Sequence, residues 1–94
     1  MFVLIVEAKV KPGSEPALEK TYTKIFRPAI TAQEGFVGTE LLRPNHSGDE
    51  YRLRIAFETH PLQQKWVATD LHQEVWPQME EHFADYSVTD YTAI

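Results

Sequence analysis

The sequence predicts an α+β fold in the order strand, helix, strand, strand, helix, strand. Three observations carry this. β-Branched and aliphatic residues open the chain and alternating β-formers close it, two stretches of helical periodicity each follow a strand, and a polar loop separates two β-prone runs.

Phe2 to Val10, FVLIVEAKV, has apolar residues at positions 2, 4, 6, 8 and 10 and a second apolar set at Val3 and Ile5, which reads as a strand buried on both faces at its start. Lys11-Pro12-Gly13-Ser14 is a turn, with Ser14 placed to cap a helix starting near Glu15. That helix carries Leu18, Tyr22, Ile25, Phe26 and Ala29 at spacings of three and four. Pro28 removes a backbone donor in its last turns and predicts a kink, and Gly35 ends it.

Phe36 to Arg43 and Tyr51 to Glu58 form a hairpin around PNHSGDE. With Arg43 opposite Tyr51, Leu41 and Leu53, Thr39 and Ile55, and Val37 and Phe57 line the helix-facing side, while Glu40 meets Arg54 on the other. A second helical region runs from about Pro61 to Phe83. Asp70 and Gln73 have capping-box spacing, so a break is predicted near Thr69, and Pro77 adds a kink. Tyr86 to Ile94 is the last strand.

This is the split βαβ order of the ferredoxin-like fold, a four-stranded antiparallel sheet with helices on one face. Val3, Ile5, Phe36 and Leu42 fall on the other face and predict a second subunit covering it. The 94 residues suit one domain, 1–94, with too little core to dispense easily with a partner, and the absence of cysteine excludes disulfides and thiolate zinc sites.

The net charge is -5, and no Lys or Arg follows Lys65, whereas Asp70, Glu74, Glu80, Glu81, Asp85 and Asp90 do. Nucleic acid is therefore not an expected partner. No apolar run is long enough for a membrane span or a signal core, so a cytoplasmic location is expected. His46, His60, His72 and His82 never occur four apart, and no metal site is predicted.

The opening strand ending in VKPG, the helix ending in QEGF, the third strand ending in FET, and a long helix carrying Trp66, His72 and Trp76 together resemble the antibiotic biosynthesis monooxygenase family of dimeric α/β barrels. The resemblance covers nearly the whole chain. It implies a homodimer with a pocket in each subunit between sheet and helices. It also implies oxidation of a phenol or hydroquinone with no cofactor, the substrate itself supplying electrons to dioxygen. Heme-degrading relatives carry a tryptophan, a heme-ligating histidine ten residues later and an asparagine in the first strand. Trp66 matches the first, but Trp76 occupies the second position and FVLIVEAKV contains no asparagine, which points away from heme.

His72 is the candidate base, since an imidazole can accept a phenolic proton near neutral pH. The packing alternative makes it a half-exposed helix residue bonded to water or Glu74. Trp66 is the candidate pocket wall, with Tyr22, Phe26, Tyr51, Phe57 and Trp76 as further pocket residues; each could equally be core filler. Two functional classes follow. One is a cofactor-independent monooxygenase acting on a small aromatic or quinol-type substrate, and the other is a non-catalytic dimeric barrel binding a small apolar molecule.

Overall fold

A computed structural model describes residues 1–94. Strands β1 (Phe2–Val10), β2 (Phe36–Leu42), β3 (Tyr51–Phe57) and β4 (Phe83–Thr92) form one antiparallel sheet in the order β2-β3-β1-β4. The predicted ferredoxin-like fold is the one observed. The first helical segment comprises α1 (Glu15–Thr21), a π-helical turn (Tyr22–Phe26) and α2 (Arg27–Thr31); the second comprises α3 (His60–Val67) and α4 (Asp70–Glu80). No helix is long and apolar enough to cross a membrane.

The kink expected at Pro28 takes the form of the π turn. Pro28 donates no N–H, and its ring crowds the carbonyl four residues earlier. The chain widens instead, and the Arg27 amide reaches back to the Tyr22 carbonyl. This corrects the predicted stripe, because Ile25 is exposed whereas Ile30 is fully buried with Leu18 and Phe26. On a regular α-helix, positions four apart drift by about 40° per step, so Leu18 and Ile30 would diverge by about 120°. The wider turn brings them back to one face. Ser14 occupies the N-cap position of α1, but its side chain makes no capping bond.

The hairpin register is as predicted at Leu41 with Leu53, Thr39 with Ile55 and Glu40 with Arg54. It shifts between Phe36 and Gly38, so Phe36, not Val37, pairs with Phe57. The rings of Phe36 and Phe57 meet edge-on at 5.9 Å, and Val37 is exposed. A bulge of this kind moves one residue out of alternation, which transfers Phe36 from the outer face to the core side. Val3, Ile5 and Leu42 remain on the outer face together with Tyr91, flanking a shallow groove with Arg52 and Arg54.

The break between α3 and α4 falls at Thr69, as predicted, but Thr69 and not Asp70 makes the cap. Its hydroxyl accepts from the His72 amide at 3.1 Å and donates to the Trp66 carbonyl at 2.7 Å. The Gln73 side chain reaches back to the Val67 carbonyl at 2.9 Å rather than completing a capping box. Phe83 belongs to β4, which therefore begins three residues before the predicted Tyr86.

Candidate functional site

One hydroxyl thus ties together the backbones of the two residues singled out in the second helical region. Trp66 lies in the last turn of α3 and His72 in the first turn of α4, and the short break lets both side chains approach the sheet from different directions. Their rings meet edge-on at 5.0 Å between centroids. Trp76, one helical turn after His72, lies nearly parallel to the imidazole at 6.2 Å and 17°.

These three rings wall a cavity of about 200 Å³. Leu4, Val6, Ile55 and Val88 supply its sheet side, Phe26 from the π turn its floor, Gln63 and Val67 the α3 side, and Tyr86 the β4 rim. Phe26 contacts both indoles, at 6.4 Å from Trp66 and 5.9 Å from Trp76. The π turn is what presents Phe26 here, consistent with the frequent occurrence of such turns at functional sites. Val88 is 50% exposed, so the cavity opens beside β4, whereas Trp66 is only 2% exposed.

The chemistry of this cavity rests on His72. Its Nδ1 is buried and makes no hydrogen bond. Burial of the ring lowers the imidazolium pKa below its usual value, and the charge of Glu80 opposes that shift without cancelling it. At neutral pH the residue is therefore a neutral base in an apolar, aromatic slot. Neither Glu74 nor any other carboxylate bonds to it. A buried nitrogen without a partner costs about 1–3 kcal/mol.

Of the predicted pocket residues, the structure brings Phe26, Trp66, His72 and Trp76 together. It places Tyr22, Tyr51 and Phe57 elsewhere. Phe57 is fully buried under the Phe36 ring. Tyr22 and Tyr51 border a separate shallow pocket with Glu19 and Arg43. Tyr51 donates its hydroxyl to Glu19 Oε2 at 2.7 Å, and the Arg43 Nε donates to the same oxygen at 2.7 Å. The bonds from Arg43 and Tyr51 hold the Glu19 carboxyl down at about 2, while burial and the Glu19 bond push the Tyr51 phenol up to about 12.

A larger cleft, about 760 Å³, lies beside the 44–50 loop, but polar and charged side chains line most of it. Its Glu19–Arg43 ion pair is mutually satisfied, and the rest of its lining is largely polar loop surface rather than an apolar wall. No three His, Cys, Asp or Glu side chains converge to form a metal site. Sequence reasoning missed Tyr86 and Val88; their alternation on the last strand, in phase with the inward residues of β1, was the available signal.

A ferredoxin-like α+β chain with an aromatic cavity between its sheet and helices defines the class. The model of the antibiotic biosynthesis monooxygenase family matches residues 1–78, and the chain belongs to that family. Among solved structures it is similar to SnoaB, a cofactor-independent oxygenase from Streptomyces nogalater, at 16% identity and TM-score 0.86, covering 98% of this chain and 91% of that one. A Bordetella bronchiseptica protein bearing the family name aligns at 23% identity and TM-score 0.86 over 99% of this chain and 96% of its own. MhuD, solved with manganese protoporphyrin IX in its active site, aligns at 21% identity and TM-score 0.77 over 100% and 95%. At these identities the likeness is one of fold. No curated protein matches the chain.

Proposed function

We propose that this protein is a cofactor-independent monooxygenase that oxidises a small phenol or quinol-type aromatic in the cavity between Trp66, His72 and Trp76. The observation that carries this reading is the neutral, unpartnered imidazole of His72 set among stacking rings. Indole faces suit a planar ligand, and a cavity of about 150 Å³ is enough to admit a benzene ring, so about 200 Å³ with an open mouth accepts a hydroxylated aromatic.

In the proposed reaction, His72 takes the hydroxyl proton of the substrate. The phenolate then transfers an electron to dioxygen, and the resulting radical pair combines at a ring carbon that still bears hydrogen. Loss of that hydrogen as a proton with cleavage of the O–O bond leaves a quinone and water. The substrate supplies all four electrons, one oxygen atom enters the product and the other leaves as water, so no external reductant is required. Proton removal is the step that the cavity itself can promote, because phenolates give up electrons far more readily than phenols.

A porphyrin fits poorly. The cavity lies below the usual range of about 300–1,000 Å³ for drug-sized ligands, and Trp76 is packed against Phe26, Phe83 and Tyr86. The lack of any group orienting His72 favours a second reading, in which the cavity binds a small aromatic without turning it over.

Assembly as a homodimer through the outer sheet face is part of the proposal. Val3, Ile5, Leu42 and Tyr91 lie there without helical cover, and Leu42 and Tyr91 are exposed large apolar side chains. The test of function is dioxygen consumption with simple phenols, 1-naphthol and hydroquinone. Uptake above the uncatalysed rate supports the oxygenase. Quenching of tryptophan fluorescence by the same compounds without uptake supports the binder.

A further inference from the structure

His72 occupies the position of a base but lacks the hydrogen-bonded carboxylate that often supports one. α4 and β4 provide a more distant substitute. His72, Trp76 and Glu80 recur every four residues and so share one stripe of α4. Trp76 lies between the other two, parallel to the imidazole and edge-on to Tyr86 at 6.0 Å. Tyr86, on the cavity rim, donates its hydroxyl to Glu80 Oε2 at 2.6 Å. The bond crosses from β4 to α4, so it holds the carboxylate on the side of the helix that faces the sheet.

Other charges around His72 do not compete for this role. Asp70 and Glu74 on α4 and Asp90 on β4 are exposed, and no hydrogen bond or ion pair fixes them. Lys65 on α3 is paired with Glu34 at 3.3 Å, and Lys24 and Arg27 beside Phe26 are exposed. No cation follows Lys65 in the chain. We infer that Glu80 is a positioning residue for the proposed reaction: its carboxylate, pinned by the Tyr86 hydroxyl, is the counter-charge that stabilises His72 once the imidazole has taken a proton from substrate. This rests on the oxygenase reading of the cavity and adds two residues to it that touch neither the base nor the substrate's reacting atoms.

The size of the effect follows from the helix. Eight residues span about 12 Å of rise, and a unit charge at that range moves a titration midpoint by about 0.3 to 1 unit for effective dielectric constants between 80 and 20. The sign is that of a carboxylate favouring the protonated ring against the effect of burial. Salt weakens the interaction, because the Debye length falls from about 30 Å at 0.01 M to about 8 Å at 0.15 M.

The experiment is an NMR titration of the His72 imidazole at about 0.01 M ionic strength in the unaltered protein and in Glu80→Gln, Glu81→Gln and Tyr86→Phe. Glu80→Gln is expected to lower the His72 midpoint by about 0.3 to 1 unit. Glu81→Gln removes the same charge one residue on, from an exposed position, and should lower it less than half as far. Tyr86→Phe leaves the carboxylate but releases it, and should give a shift in the same direction smaller than that of Glu80→Gln. Equal shifts in the two glutamate variants, no shift in Glu80→Gln, or an unmoved midpoint in Tyr86→Phe would each overturn the assignment. The titration needs no turnover, so failure of dioxygen uptake would remove the oxygenase reading while leaving these midpoints to decide the role of Glu80.

Discussion

Gly35 precedes β2 with φ +77°, a backbone conformation that side chains other than glycine rarely adopt, and it sits directly against α3. A Cβ there would come within 2.5 Å of Leu62 Cδ1, 3.0 Å of its Cβ and 3.1 Å of its Cγ. Gly13 has a similar φ of +86° with nothing within 4 Å, and so isolates the backbone cost. Left-handed strain alone costs about 1–2 kcal/mol, and forced overpacking adds about 1–3 kcal/mol. Gly13→Ala should therefore destabilise by about 1–2 kcal/mol and Gly35→Ala by about 2–5 kcal/mol. Local relaxation is limited, because the Glu58 amide donates to the Gly35 carbonyl at 2.8 Å. Leu62 lies one turn before Trp66 on α3, so the displaced helix carries the indole wall of the cavity with it. Urea unfolding of both variants measures the difference, and tryptophan emission reports the movement. Equal losses in the two variants, within about 0.5 kcal/mol, would refute the claim that α3 is seated on a bare Gly35.

Three further outcomes are expected. Glu19→Gln should cost about 1–2 kcal/mol at pH 7, mainly through the partly buried bond to Tyr51, since the Arg43 side is exposed and screened. Because the folded Glu19 carboxyl is held at about 2 against an ordinary 4.5, that stabilisation is present above pH 4.5 and lost as pH falls toward 2, where denaturation curves of the two proteins should converge. Burial lowers the folded His72 pKa, so the unfolded chain binds a proton first as pH falls below about 6.5 and stability declines there. His72→Gln should flatten stability between pH 7 and 5, and an unchanged slope would show that the ring is not buried. Static light scattering at micromolar concentration should give twice the 10.9 kDa chain mass, and a monomeric mass would leave the outer sheet face without its proposed cover.

What the sequence disclosed and what it concealed divide along physical lines. Element order, the hairpin register at Leu41 and Leu53, and the break at Thr69 follow from patterns of local periodicity, and they emerged intact. The meeting of the Trp66 and His72 rings follows from that break, which was legible in the residues themselves. The π turn and the bulge at Val37 each insert an offset that no fixed period contains, and each moved one apolar residue out and another in. Tyr22, Tyr51 and Phe57 shared an inward side with the cavity, yet facing the core does not select which part of the core. Tyr86 and Glu80 act together only through a contact between separate elements, α4 and β4, and nothing in the local spacing announces it.

In the proposed reaction His72 deprotonates an aromatic substrate whose own electrons reduce dioxygen. The most direct test is dioxygen uptake with 1-naphthol, followed by quinone absorbance, in the unaltered protein and in His72→Ala. One quinone formed per dioxygen consumed, with a rate at least about 100-fold lower in His72→Ala, is the predicted result for loss of a general base. Turnover that continues unchanged without the imidazole would contradict it.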